Sequence, residues 1–85
     1  MESNYDIIIC TKSRQKEVMV QCAELDEAIS FALTLFDKYS EKIGDYVIVS
    51  EVKKICQKSV MATYKRIPVR KITLEKGLKV DVKVY

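Results

Sequence analysis

The chain of 85 residues carries 15 basic and 12 acidic side chains and no histidine, and 48% of its residues are hydrophobic. This balance excludes a disordered segment and is typical of a soluble globular protein, so we predict a single domain spanning residues 1–85. No apolar run approaches the roughly 20 residues that span a bilayer, and the first residues lack the pattern of a secretion signal. We therefore expect a cytoplasmic protein without membrane contact.

Two strands are predicted at the start of the chain. Residues 4–12 are rich in β-branched and aromatic side chains, which favour strands. Residues 17–22 alternate Val18, Val20 and Cys22 with Glu17, Met19 and Gln21, which indicates a second, antiparallel strand with one face inward. The short polar stretch between the two predicts a hairpin.

A helix is predicted over residues 25–43. When successive residues are placed 100° apart around a helix axis, eight apolar residues fall within about 60° of a single line, as an amphipathic helix requires. That group comprises Leu25, Ala28, Ile29, Ala32, Leu35, Phe36, Tyr39 and Ile43. Asp26 is the expected N-cap, and Gly44 stands where a left-handed residue would end the helix.

The chain after the helix predicts further strands. Residues 45–50 form one, and residues 51–59 fit either a short helix or a continuing strand that turns near residues 57–59, of which we favour the strand. Residues 60–67 form the next strand. Pro68 is expected at a strand end or on an edge, because it cannot donate to a sheet ladder.

The last two strands predict a hairpin around Gly77. Residues 69–74 and 78–85 flank a short connection in which Gly77 can take positive φ. The final arm alternates strictly, so one side is expected to be buried, namely Leu78, Val80, Val82 and Val84.

These elements predict an α+β fold in the order β-β-α-β-β-β-β. A helix with one apolar stripe and strands with one apolar face bury each other most simply as two layers. We therefore expect a single helix on one face of an antiparallel sheet, with the other face polar and open.

Charge is divided unevenly along the sequence. Residues 1–51 contain five basic and ten acidic residues, a net charge of −5, whereas residues 52–85 contain ten basic and two acidic residues, a net charge of +8. Such asymmetry bears on partners rather than on the fold.

The acidic part offers a candidate surface for a protein partner on the outer side and margin of the helix. Charged residues on the outer side of a helix ordinarily only face solvent. Large apolar residues at the margin, however, also suit contact with another chain. The candidate residues are Glu27, Phe31, Leu33, Asp37 and Glu41.

The basic part offers an alternative, a nucleic-acid surface on the C-terminal strands. Clustered cations can follow phosphates, and tyrosines such as Tyr64 and Tyr85 can stack on bases, although lysines on strands also prevent edge-to-edge pairing. The candidate residues are Lys53, Lys54, Lys58, Tyr64, Lys65, Arg66, Arg70 and Lys71.

The composition argues against an enzyme. Without histidine, acid–base catalysis near neutral pH lacks its usual group, and Gly44 and Gly77 are the only glycines, so no phosphate-binding glycine loop exists. Cys10, Cys22 and Cys56 are expected to be reduced apolar residues in strands, with Cys56 the one candidate for reactivity because lysines surround it. Neither a metal site nor a cofactor is expected.

The prediction is thus a small non-catalytic interaction protein, an inhibitor, adaptor or regulatory subunit that binds another protein, with a nucleic-acid-binding module as the alternative. In size and general build it is similar to small single-domain proteins of phage and other mobile elements, anti-CRISPR inhibitors among them. A homodimer is also predicted, through an unpaired edge strand or the margin at Phe31 and Leu33.

Overall fold

The fold contains one helix packed against one face of a five-stranded antiparallel sheet, which confirms the predicted α+β class. The computed structural model describes residues 2–58 and 61–84, and leaves the side chains of residues 56–58, 61 and 62 outside the description. The elements in chain order are β1 (Ser3–Cys10), β2 (Gln15–Cys22), α1 (Leu25–Tyr39), β3 (Tyr46–Lys58), β4 (Met61–Glu75) and β5 (Leu78–Lys83).

The strands lie in the order β2-β1-β3-β4-β5, so β2 and β5 form the edges of the sheet. Every neighbouring pair is antiparallel. The favoured interpretation of residues 51–59 is confirmed as far as it can be followed, because β3 continues to Lys58; residues 59 and 60 lie outside the described part.

Pro68 lies inside β4 and does not end it, so two segments predicted as separate strands are one. It stands opposite Ser50, at a shift in the register between Val49 and Ser50. The ladder between β4 and β5 begins only at Arg70. Pro68 therefore occupies an irregular place beyond the β5 ladder, where a missing N–H can be tolerated.

The core lies between the helix and the central strands. The predicted helical stripe supplies Ala28, Ala32 and Phe36, all fully buried. Against them pack buried side chains of β1, β3 and β4, namely Tyr5, Ile7, Ile9, Val47, Val49, Val69 and Ile72. Two alanines let the helix approach the sheet closely, and Phe36 fills the remaining space.

The helix begins at Leu25 as predicted, but the predicted N-cap and the predicted C-terminal end are wrong. The residue at the N-cap is Glu24, without a side-chain cap hydrogen bond, while Asp26 lies in the first turn, where its charge suits the helix dipole. The helix stops at Tyr39, so Gly44, with φ of 100°, and Ile43, 69% exposed, belong to the connection to β3.

The carboxylate of Asp45 explains the early stop. Its Oδ2 accepts hydrogen bonds from the backbone N–H groups of Glu41 at 2.7 Å and Lys42 at 2.9 Å. These bonds fold residues 41–45 into a turn, a local alternative to continuing the helix.

The face of the sheet away from the helix carries apolar as well as charged residues, so the prediction of a polar face is wrong in part. The pairing register places Ile8, Ile48 and Val82 in one row on this open face, since Ile8 is opposite Ile48, Ile48 opposite Lys71, and Lys71 opposite Val82. The apolar row of β5 predicted to be buried is therefore exposed. Its members are Leu78, Val80, Val82 and Val84.

The cysteines agree with the prediction where they are described. Cys10 and Cys22 are free, partly buried and in strands, and burial raises the pKa of the Cys22 thiol. The side chain of Cys56, the candidate for reactivity, lies outside the described part. Among the described residues, no helix combines the length and apolar character needed to cross a membrane.

Candidate partner-binding surfaces

The most prominent feature of the surface is a two-stranded arm formed by residues 53–58 of β3 and 61–65 of β4. The strand β1 pairs with β3 only as far as Val52, whereas β3 and β4 stay paired to Lys58 and Met61. Six further residues of strand amount to about 20 Å. The arm contributes to the long dimension of the molecule, which measures 48 × 26 × 23 Å.

Cations occupy both faces of the arm. Lys53 lies directly opposite Lys65 on the face that continues the helix side of the sheet, and Lys54 lies opposite Tyr64 on the other face. All four residues are exposed, Tyr64 by 53%. The side chain of Lys58 is outside the described part.

A register shift between Lys54 and Cys56 interrupts the arm ladder. It places Ile55 at a bulge, with 59% of this residue exposed. Bulges increase the local right-handed twist of a ribbon and bend it. The arm is therefore a twisted ribbon with an apolar side chain and an aromatic ring among its lysines.

Arg66 belongs to the base of the arm and is held by carboxylates of the sheet. Its Nε donates to Oδ2 of Asp6 at 2.8 Å and lies 3.7 Å from Oε2 of Glu17. Asp6 is fully buried, while the Arg66 side chain is 49% exposed. The guanidinium therefore closes over a buried carboxylate on the open face of the sheet.

The neighbouring carboxyl groups of Asp6 and Glu17 constrain each other. Oδ1 of Asp6 is buried, and no N–H or hydroxyl group of the described residues donates to it. The carboxyl of Glu17 can donate to Asp6 only in its protonated form. Its pKa is accordingly raised, mainly by this hydrogen bond and by the charge of Asp6, with burial adding to the effect and Arg66 opposing it.

The other two cations of the predicted nucleic-acid set lie on the body, on opposite faces of the sheet. Arg70 is on the helix side, opposite Val49, and its Nη1 lies 3.5 Å from Oδ2 of Asp81. Lys71 is on the open face, where its Nζ lies 4.6 Å from the centre of the Tyr46 ring. The structure thus brings Lys53, Lys54, Tyr64 and Lys65 together and separates Arg70 and Lys71 from them; Tyr85 lies outside the described residues.

The predicted acidic surface is only partly continuous. Asp37 is paired with Lys79 of β5, and Oε1 of Glu41, which lies beyond the helix, is 3.9 Å from Nη2 of Arg14. Leu33 packs against the core, whereas Phe31 is 43% exposed and Glu27 is exposed. Two of the three predicted carboxylates are therefore balanced by cations of the same chain.

Positive and negative charges are separated on the arm but are mixed on the body. On the body, ion pairs join Arg14 to Glu41, Lys79 to Asp37 and Arg70 to Asp81. Residues 53–66 contain five basic residues and no acidic residue, although Lys53 reaches back to Glu51, 3.5 Å away. The arm is therefore the strongly basic part of the surface.

Sequence reasoning missed Asp6, Glu17 and their contact with Arg66. One signal was present, because Asp6 is a charged residue inside an otherwise apolar strand, where burial demands a partner. The described residues contain no cluster of three or more side chains suited to holding a metal ion. Comparisons of the chain with protein-family models, curated proteins and solved structures found no match.

Proposed function

We propose that this chain is a small non-catalytic binding protein whose arm engages double-stranded nucleic acid through its phosphates. The observation that carries the proposal is the placement of Lys53 directly opposite Lys65 on a projecting two-stranded ribbon. Like charges directly opposite each other destabilise a strand pair. A polyanion that lies against the ribbon removes this repulsion and gains from both ammonium groups.

The distribution of lysines over the two faces of the arm supports a groove as the binding site. Lys53 and Lys65 project from one face and Lys54 from the other. The major groove of B-form DNA is about 12 Å wide and admits a two-stranded ribbon. A ribbon inserted there presents cations to the phosphates of both groove walls at once.

The arginines of the body are less suitable for a test than the arm lysines. Arg70 has Asp81 as a partner and Arg66 has Asp6, so these guanidinium groups already satisfy carboxylates of the same chain. Removing either of them would alter the fold as well as the surface. The arm lysines are the appropriate residues for a test because they lie outside the core.

The experiment compares binding of a fluorescent mixed-sequence DNA duplex to the intact chain and to the double variant Lys53→Gln and Lys65→Gln. The matched control replaces Lys38 and Lys42 by glutamine. These residues lie at the end of the helix and in the connection before β3, far from the arm, and the change in charge is the same.

Fluorescence anisotropy at low salt should show weaker binding for the arm variant than for the control, because two phosphate contacts are lost. Equal binding by the two variants would mean that the duplex responds to overall charge alone. Absence of binding by the intact chain would remove nucleic acid as the partner.

The prediction of a protein partner remains as a second candidate, with one specific observation in its favour. Phe31 is a large apolar side chain, 43% exposed, on the helix next to Ala32 of the core. Exposed aromatic residues are enriched where proteins contact each other. If the duplex does not bind, recovery of a stoichiometric protein by the intact chain and its loss with Phe31→Ala would favour an inhibitor, adaptor or regulatory subunit.

A further inference from the structure

The edge strand β5 is exposed along its whole length. All six of its residues are exposed, and its even-numbered positions carry apolar side chains on the open face of the sheet. Exposed apolar edge strands pair readily with other strands unless something covers them or charge prevents it. The sequence of β5 therefore bears directly on what can lie against this edge.

The turn before β5 determines which backbone groups face outward. Residues 76–77, with φ of 49° and 80°, join Glu75 to Leu78 as a two-residue turn, in which the flanking residues form a hydrogen-bonded pair. Such pairs alternate along an antiparallel ladder. The even positions therefore bond to β4, as the N–H of Val84 does to the carbonyl of Val69, 3.2 Å away. The outward N–H and C=O groups belong to Lys79, Asp81 and Lys83.

We propose that the partner at this edge is a second copy of the chain, paired antiparallel through β5 with Val80 on the two-fold axis. This register places Lys79 of each copy opposite Asp81 of the other, as two opposite-charge pairs related by symmetry. It also places Leu78 opposite Val82 on the open face. Apolar side chains thus meet apolar side chains, and the sheet continues across both copies.

The charges select this register over its neighbour. Shifting the axis to Asp81 places two Asp81 carboxylates opposite each other and Lys79 opposite Lys83, and both arrangements repel. If one β5 strand moved by a single residue along the other, side chains that point to opposite faces of the sheet would be paired. Centring on Val82 restores an opposite-charge pair, between Asp81 and Lys83, but it separates Leu78 from Val82 and so loses that apolar contact.

The ion pairs within each copy extend the charge complementarity. Asp37 of the helix pairs with Lys79, and Arg70 pairs with Asp81. In the proposed dimer these join into a row with alternating charge that crosses the interface twice, once on each side of the axis. The inference goes beyond the proposed function, because it concerns the edge strand β5 and not the arm.

Disulfide trapping tests the contact. In a background with Cys10, Cys22 and Cys56 replaced by alanine, Val80→Cys should give a covalent dimer under mild oxidation. Residues in a non-hydrogen-bonded pair on the axis have Cα atoms about 4.5 Å apart, a separation that a disulfide spans. Val82→Cys in the same background should remain monomeric on a denaturing gel, because the two copies of residue 82 are about 13 Å apart.

Light scattering of the intact chain provides the second measurement, since it does not depend on the cysteine variants. A dimer is expected, and Asp81→Lys should raise its dissociation constant about tenfold by turning two attractive pairs into repulsive ones. Lys83→Glu changes the charge by an equal amount in the opposite sense, and residue 83 faces Gly77 in this register, so this variant should leave the dimer intact. Circular dichroism confirms that each variant is folded.

Three results would overturn the proposal. One is a monomer at several hundred micromolar. Another is a dimer that Val80→Cys does not trap but Val82→Cys does, and the third is a dimer that Lys83→Glu weakens more than Asp81→Lys.

Discussion

Arg66 on β4 donates a hydrogen bond of 2.8 Å to Asp6 on β1, although β3 lies between the two strands and 60 residues separate them in sequence. The contact crosses the open face of the sheet at the base of the arm. It anchors the arm to the body through a buried carboxylate. The stability of the fold and the position of the arm therefore depend on the same guanidinium group.

Removal of this guanidinium should destabilise the protein. Arg66→Ala leaves the buried charge of Asp6 without a partner, and we expect a loss of about 1–3 kcal/mol in the free energy of unfolding. The half-exposed position of Arg66 keeps the effect below that of a fully buried pair. Urea unfolding measures it, with Lys65→Ala, which should change stability by less than about 0.5 kcal/mol, as the control. Equal midpoints for the two variants would show that water replaces Arg66 at no cost.

The paired carboxyl groups predict an unusual response to pH. Because contact with Asp6 raises the pKa of Glu17 above its ordinary value of 4.5, protonated Glu17 favours the folded state. This contribution is fully present below the ordinary pKa and is lost as pH rises through the raised one. Glu17→Gln removes the titration and should gain stability relative to the intact chain across that range. Urea midpoints that stay parallel from pH 3 to 7 would contradict the contact.

Asp45 should respond in the opposite direction. Hydrogen bonds from the backbone N–H groups of Glu41 and Lys42 lower its pKa, so its ionised form favours the folded state. The contribution is present above the ordinary pKa and is lost as pH falls through the lowered one. Asp45→Asn should therefore be less stable than the intact chain at pH 7, and the difference should shrink in acid. A difference independent of pH would mean that the charge of Asp45 is not involved.

The core predicts a strong contrast between the two phenylalanines. Phe36 is fully buried, so Phe36→Ala should cost about 3–5 kcal/mol, whereas Phe31→Ala should cost about 1 kcal/mol or less. Thermal unfolding followed by circular dichroism measures both. Similar losses in the two variants would place Phe31 in the core and remove it as a surface residue.

Most of the fold was predictable because the spacing of apolar residues in the sequence follows the buried side of each helix or strand. The 3.6-residue spacing of Ala28, Ala32 and Phe36 identifies the helix, and alternation identifies the strands. The end of the helix was not predictable from the same pattern. Ile43 continues the spacing, and only the hydrogen bonds to Asp45 reveal that the chain has turned away.

The faces of β5 show a second limit of pattern analysis. Alternation separates Val80 and Val82 from Lys79 and Asp81, but it does not say which set faces the helix. The register with β4 decides this and turns the valines outward. Helix-side positions at this edge carry charges because they meet Asp37 and Arg70 and not the apolar core.

The candidate site was predictable in composition but not in shape. The run of basic residues from Lys53 to Arg66 is visible in the sequence, whereas the arm depends on where β1 stops pairing with β3. The partner of Arg66 lies at the other end of the chain, beyond the reach of local patterns. Only the assembled sheet separates the arm lysines from the cations that belong to the body.

The salt dependence of duplex binding tests the role of the arm most directly. Each phosphate contact contributes about −0.9 to the slope of log K against log salt, so Lys53→Gln combined with Lys65→Gln should make the slope shallower by about 2. The Lys38→Gln and Lys42→Gln control should keep the slope of the intact chain. A slope that is the same in the arm variant and the intact chain would contradict phosphate binding by the arm.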